Sequence, residues 1–143
     1  MNYELVHCVK HSDQRGFLVE FLKEPELSPH LKKFGQVYVA TFEHPGQIRG
    51  NHYHTRFEEW FGVVAGVLKV VLEDIKTKER ISFVLSAEDK TFPRLHIGTY
   101  IAHAFINLSE KAVLLDYTNS VYDPENHDRN PYILAQPGSM SSV

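Results

Sequence analysis

Two histidines one residue apart, with a glutamate five positions after the second, are the residues of this chain best suited to chemistry. They are His52, His54 and Glu59, and His103 adds another imidazole farther along the chain. Imidazole nitrogens and carboxylate oxygens are the donors that a first-row divalent metal ion prefers. The sequence therefore predicts a metal site with these four side chains as ligands. Zinc is the expected ion, and Ni, Mn and Fe accept the same donors.

Bringing these four side chains together places demands on the fold. Side chains at positions i and i+2 of a strand leave the same face, so His52 and His54 can point into one cavity. Glu59 would enter it from the next strand, after a turn at residues 55–56, and His103 has to arrive from a distant strand. A closed or nearly closed β-barrel achieves this, because inward-facing residues of several strands meet at its axis.

Short β-rich segments separated by turn signals recur along the chain. Strands are predicted for residues 3–9, 17–22, 36–42, 59–64, 67–73, 80–85 and 112–118. Long helical patterns are missing from the sequence, so we expect an antiparallel sandwich or barrel. We assign residues 1–143 to one domain and predict that the Gly- and Ser-containing residues 136–143 are a frayed tail.

Composition argues against several classes of protein. The net charge is only −3 and no basic patch is present, so we expect no nucleic acid partner. Cys8 is the sole cysteine, which excludes an intrachain disulfide framework. The sequence contains no signal peptide pattern and no apolar run of spanning length. We therefore expect a cytoplasmic protein without membrane contact.

The stretch from Gly46 to Gly66 has the spacing G-x5-H-x-H-x4-E-x6-G and resembles the first cupin motif. Residues 102–107 are similar to the end of the second cupin motif, H-x3-N. Gly98 and Tyr100 stand where that motif has Pro and Gly, which predicts a differently shaped loop before the histidine. Resemblance to the cupin superfamily implies an all-β fold, the double-stranded β-helix or jelly-roll barrel.

Further segments resemble the nucleotide-sugar epimerases and ketoisomerases of that superfamily. They are Asp13–Glu20 (D-x-R-G-x-L-x-E), Arg49–His54 (R-G-x-H-x-H), and A-H-A-F, L-S and Y-D-P-E within residues 102–125. The greatest similarity is to the metal-binding cupin domain at the C-terminus of capsular-polysaccharide synthesis enzymes. This resemblance implies a nucleotide-sugar substrate, a UDP- or dTDP-linked 4-keto-6-deoxyhexose. It also implies an isomerase that epimerises the carbon next to the ketone in surface-polysaccharide biosynthesis.

Departures from the metal-free 3,5-epimerases favour a metal-assisted enolisation. Those relatives have Gln where this chain has His54, a catalytic Lys near the position of Glu59, and a catalytic Tyr where Asp116 stands. Two alternatives remain open. One is a dTDP-sugar 3,4-ketoisomerase in which His52 and His54 move protons without metal, and the other is a non-catalytic sugar-binding cupin with a structural metal.

Enolisation next to a ketone needs groups that remove and return a proton. The candidate catalytic residues are His52, Tyr53, His103, Asp116 and Tyr122, and Tyr38, His96 and Tyr117 are further candidates. Arg15 and Arg49 are candidates to bind the diphosphate through a guanidinium fork. A homodimer is also expected, because the apolar side chains of residues 3–9 are available for an interface and an uncovered sheet edge favours pairing with another strand.

Overall fold

The structure is a computed structural model that describes residues 1–31 and 34–137. Its strands are β1 (Tyr3–Cys8), β2 (His11–Asp13), β3 (Gly16–Leu18), β4 (Gln36–Phe42), β5 (Ile48–Tyr53), β6 (Glu59–Ala65), β7 (Val67–Asp74), β8 (Arg80–Ser86), β9 (Phe92–Ile97), β10 (Ile101–Asn107), β11 (Ala112–Thr118) and β12 (Asn130–Pro131). Two 3₁₀ turns, Glu24–Glu26 and Pro29–Leu31, precede β4. No helix within the described ranges is long and apolar enough to span a membrane. Most of the predicted frayed tail, from residue 138 onward, lies outside the described residues.

Ten of these strands form two five-stranded sheets. The first has the order β1-β9-β6-β11-β4 and the second the order β12-β5-β10-β7-β8, while β2 and β3 form a separate hairpin. Every pairing is antiparallel. Most neighbours within a sheet are far apart in the chain, as expected when strands wind alternately through two sheets. The predicted all-β jelly-roll fold is confirmed.

A hydrophobic core lies between the two sheets. The first sheet contributes Phe61 and Leu95, and the second contributes Leu72 and Phe105, all at most 3% exposed. Burying each such side chain stabilises the fold by about 1.5–3 kcal/mol. The rings of Phe61 and Phe105 are 4.7 Å apart, and both also line the cavity described below. This aromatic pair is therefore the floor of that cavity.

The strands β2, β9 and β12 were not predicted, and the strand predicted for residues 17–22 is shorter than expected. The strand predicted for residues 17–22 ends at Leu18, because Phe21 leaves the hairpin and packs against Trp60 and Tyr117 on the outer face of the first sheet. The strand β9 contains a proline, which is unusual within a strand. Pro93 lies beyond the pairing of β6 with β9, which ends at Arg94, so its missing N–H costs no hydrogen bond to β6.

Candidate active site

A bulge in β5 sets the position of the first histidines. His52 lies opposite His103 of β10, but Ala104 pairs with Gly50, so Asn51 is an extra residue in the ladder. Gly50 and Asn51 have φ angles of 98° and 57°. A Cβ atom on Gly50 would lie 2.6 Å from the carbonyl oxygen of His103, so only glycine fits there. The bulge therefore lets β5 approach β10 closely and places His52 beside His103.

Four side chains converge at one end of the space between the sheets. One ligand atom from each of His52, His54, Glu59 and His103 lies within 4.8 Å of the other three. Glu59, at the start of β6, comes from the opposite sheet, and its Oε1 is 2.8 Å from His54 Nε2 and 3.5 Å from His103 Nε2. The structure thus brings together all four of the predicted ligands.

Backbone carbonyl groups orient two of the imidazoles. His54 Nδ1 lies 2.8 Å from the carbonyl oxygen of Asp128, and His103 Nδ1 lies 3.3 Å from that of Ile101. A carbonyl oxygen can only accept, so each Nδ1 carries the proton and each Nε2 presents a lone pair toward Glu59. Histidine ligands of metal ions are oriented in this way in many proteins.

Burial keeps the three imidazoles neutral. Desolvation, reinforced by the charges of His54 and Arg129, lowers the pKa of His52 to about 4. Desolvation also lowers the pKa of His54, and it lowers the pKa of His103 well below the ordinary value. All three are therefore unprotonated at neutral pH, which is the form that binds a metal ion.

Two atoms of the cluster need a cation or a proton between them. Among the described residues, neither His54 Nε2 nor Glu59 Oε1 has a hydrogen-bond partner, and both atoms are buried. Two lone-pair atoms 2.8 Å apart are unfavourable unless a positive centre lies close to both. A proton would serve this one pair, whereas the convergence of further imidazoles on the same carboxylate suits a divalent ion. The side chains therefore fit the metal ion predicted from the sequence.

A cavity of about 610 Å³ lies next to this cluster. One wall carries the imidazoles of β5 and β10, and the facing wall belongs to β4, β6 and β11. Its other polar lining residues are Tyr38, Thr41, Arg49, Asp116, Thr118, Ser120, Tyr122 and Arg129. Candidate metal ligands, arginines and titratable groups thus share one concave space, the usual setting of a small-molecule site.

Asp116 and Glu59 form a carboxyl pair in this cavity. Burial, followed by the charge of Glu59, raises the pKa of Asp116 well above its ordinary value. Burial also raises the pKa of Glu59. Asp116 Oδ1 has no hydrogen-bond partner among the residues that the structure describes. A carboxyl group with a raised pKa can exchange protons near neutral pH, as general acid–base chemistry requires.

The predicted site residues outside the ligand set divide into two groups. Asp116, Tyr122 and Arg49 line the cavity. Tyr53 does not, because side chains alternate along β5, and its ring packs near those of Tyr100 and Tyr132 at 6.2 Å and 6.1 Å.

Arg15 and the further candidates His96 and Tyr117 also lie elsewhere. Arg15 is exposed in the turn between β2 and β3, where its guanidinium pairs with Asp13. His96 and Tyr117 face outward from the first sheet, and both of their rings pack against Trp60. None of these three is among the described residues that line the cavity.

Arg129 is a cavity residue that the sequence did not single out. Its guanidinium lies 4.7 Å from the ring centroid of Tyr122, and its positive charge acts on the phenol of Tyr38. Burial raises the pKa of Tyr38, which keeps this phenol protonated near neutral pH. Arg129 belongs to a polar loop without a recognised spacing, so only the folded chain shows that it reaches the cavity.

The loop before His103 keeps a glycine-like conformation despite its unusual residues. Tyr100 has a φ of 63°, in the left-handed region that a glycine adopts readily. Its N–H donates to the carbonyl oxygen of His54 at 2.8 Å. The replacement of glycine by tyrosine therefore leaves His103 within the cluster.

Comparison with known proteins gives matches in sequence and in structure. The family model described as the polysaccharide biosynthesis C-terminal domain matches residues 11–130. The spore coat polysaccharide biosynthesis protein SpsL of Bacillus subtilis is 33% identical over 125 residues, which cover 84% of this chain and 80% of SpsL.

Two solved structures share the fold. The capsular polysaccharide assembling protein CapF of Staphylococcus aureus is 26% identical with a TM-score of 0.66, and the match covers 89% of this chain and 34% of CapF. This chain therefore spans about a third of the length of CapF. The dTDP-4-dehydrorhamnose 3,5-epimerase of Bacillus anthracis, solved with TDP and PPi bound, is 22% identical with a TM-score of 0.77. That match covers 95% of this chain and 87% of the epimerase.

Proposed function

This chain belongs to the polysaccharide biosynthesis C-terminal domain family, and from that premise we propose that it epimerises a nucleotide-linked 4-keto sugar. The substrate is a UDP- or dTDP-linked 4-keto-6-deoxyhexose, and the reacting carbon is next to its ketone. The observation that carries this proposal is the cavity in which Asp116 lies on the wall that faces the imidazoles of His52, His54 and His103. The name of SpsL supports a role in polysaccharide biosynthesis, and the name of the Bacillus anthracis epimerase supports the substrate class.

A proton next to a ketone is acidic because the resulting enolate delocalises onto the carbonyl oxygen. Its removal needs a base at the carbon and a group that stabilises the enolate oxygen. The ionised carboxylate of Asp116 serves as the base, since a raised pKa makes a carboxylate more basic. The phenol of Tyr38 keeps its proton because burial raises its pKa, so it can donate a hydrogen bond or a proton.

His52, His54, Glu59 and His103 would hold a divalent metal ion, with zinc expected and Ni, Mn or Fe also compatible. When bound, such an ion supplies a Lewis acid that polarises the ketone. The backbone carbonyls of Asp128 and Ile101 keep two of the imidazoles oriented for this purpose. The rings of Phe61 and Phe105 give the cavity an apolar surface beside these ligands.

The diphosphate of the substrate is bound by arginines that line the cavity. Arg49 is held in place because its Nε donates to the carbonyl oxygen of Thr41 at 3.0 Å. Arg129 lies in the same cavity beside Tyr122. Guanidinium groups match the geometry of phosphate oxygens through two parallel hydrogen bonds. Substrate binding by Arg15 and catalysis by Tyr53 stay predictions. Neither side chain is among the described residues that line this cavity, so the cavity does not support these two roles.

The proposed activity predicts hydrogen exchange with solvent. In D2O, UDP- or dTDP-4-keto-6-deoxyhexoses should gain deuterium at C3 or C5, because enolisation exposes that carbon to solvent deuterons. NMR would follow the loss of the C3–H or C5–H signal, and chelation should stop the exchange until zinc is restored. No exchange with any of these sugars, with metal and fold intact, would indicate the sugar-binding cupin. Exchange that survives chelation would indicate the metal-free ketoisomerase.

We also predict a homodimer. The strand β1 lies at one edge of the first sheet and leaves that edge open for pairing. At the other edge, Val37 and Val39 of β4 are 52% and 69% exposed. Light scattering at micromolar concentration should give twice the chain mass, and a monomer mass would refute the prediction. Replacing both valines by lysine should weaken the dimer, whereas Val84→Lys on the second sheet, at 52% exposure, should not.

A further inference from the structure

The loop of residues 126–130 is hydrogen-bonded to the turn that follows His54. The carboxylate of Asp128 accepts hydrogen bonds from the backbone N–H of Thr55 at 2.9 Å and of Arg56 at 2.8 Å. It also accepts one from the Thr55 hydroxyl at 2.7 Å. Three donors of one turn therefore converge on a single carboxylate 73 and 72 residues farther along the chain.

This carboxylate is buried, and its oxygens are well satisfied. The side chain of Asp128 is only 4% exposed. A fourth donor, Asn130 Nδ2, lies 3.2 Å from Asp128 Oδ1 and also donates to the carbonyl oxygen of Tyr53 at 3.1 Å. A buried carboxylate is tolerated only when such donors replace its water. Hydrogen bonds to an ionised group are also stronger than those between neutral groups. These hydrogen bonds therefore hold together two segments that are far apart in the chain.

The backbone of the same residue contacts a side chain of the metal cluster. Asp128 has a φ of 52°, in the left-handed region that aspartate adopts more readily than most residues. In this conformation its carbonyl oxygen accepts from His54 Nδ1 at 2.8 Å. The carboxylate thus holds the turn immediately after His54, while the carbonyl of the same residue holds the imidazole itself.

We propose that Asp128 is a positioning residue that fixes the tautomer and the direction of the His54 imidazole, and through them the affinity of the cluster for a divalent ion. This inference rests on the proposed metal site. Without the carboxylate, the N–H groups of Thr55 and Arg56 and the Thr55 hydroxyl lose their shared acceptor, which loosens the attachment of the turn to the loop. The Asp128 carbonyl then leaves His54 Nδ1, so the ring is free to rotate Nε2 away from Glu59. Loss of a hydrogen-bond partner behind a metal ligand weakens binding by about 10- to 100-fold.

The test compares zinc affinities by competition with a chromophoric chelator. Asp128→Ala should bind zinc about 10- to 100-fold more weakly than wild type. Its Co(II) form should show a changed visible spectrum, because that spectrum reports the ligand set and its geometry. The matched control is Asp74→Ala. Asp74 also caps a turn, accepting from the N–H groups of Lys76 and Thr77 at 2.9 Å and 3.2 Å, but it does not contact the cluster. This control should keep the wild-type affinity and spectrum.

The outcomes separate the positioning role from the metal site itself. If wild type binds zinc and Asp128→Ala binds it equally well with an unchanged Co(II) spectrum, the positioning role is refuted and the metal site stands. If wild type binds no divalent ion, both fail. Should Asp128→Ala not fold, Thr55→Val removes only the 2.7 Å hydrogen bond from the hydroxyl. It should weaken zinc binding by about 2- to 10-fold, the worth of one ordinary hydrogen bond, because the backbone N–H groups of Thr55 and Arg56 still donate to the carboxylate. An unchanged affinity would refute the role.

Discussion

The double variant His52→Ala/His54→Ala will purify without metal and will unfold at a lower temperature than the wild-type protein. It removes two of the four donors, and the remaining Glu59 and His103 cannot enclose an ion. An ion that binds only the native state stabilises it by about 2.7 kcal/mol at a free concentration one hundred times its Kd. Elemental analysis of protein prepared without added metal or a His-tag measures the first effect, and thermal unfolding measures the second.

The control for this variant is His11→Ala/His44→Ala, which removes two exposed imidazoles outside the cluster. It should keep both the metal and the unfolding temperature of wild type. Chelation should lower the unfolding temperature of wild type and of this control, and should leave the double variant at His52 and His54 unchanged. Equal metal content in wild type and the variant would show that these histidines are not ligands.

Asp116→Asn should lower the rate of deuterium exchange by about 10²- to 10⁴-fold, the usual contribution of a general base. The amide has the shape of the carboxyl group but cannot take up the substrate proton at neutral pH. Because a base acts in its ionised form, the wild-type rate should rise with pH through a pKa above the ordinary carboxyl range. Burial of the side chain is the largest cause of that raised pKa. The variant should lose this dependence, as measured by NMR over a range of pH at saturating zinc.

The matched control is Asp123→Asn, in an exposed loop where the carboxylate only caps the N–H of Glu125. It should exchange at the wild-type rate. A wild-type rate in Asp116→Asn would remove Asp116 from the mechanism and leave Tyr38 and Tyr122 as the proton-transfer candidates that line the cavity.

Local patterns in the sequence predicted the candidate metal ligands and most of the strands. Residues 36–42 and 112–118 form β4 and β11 with the predicted bounds, because alternation of apolar residues is a property of a few neighbouring positions. The spacing of His52, His54 and Glu59 is local in the same sense. The alternation that points these two histidines into the cavity also turns Tyr53 away from it. The position of Tyr53 outside the cavity could therefore have been predicted from the sequence.

Only the tertiary structure decided what surrounds those ligands. Arg129 enters the cavity and Arg15 does not, although both are arginines in polar turns or loops. Asp128 holds His54 across 74 positions of chain through a backbone carbonyl, a group that every residue has and that no sequence pattern can single out. Contacts of this kind depend on which strands pair and on where the connecting loops pass. Strand pairing is set by the packing of two whole sheets, so it cannot be read from the spacing of neighbouring residues.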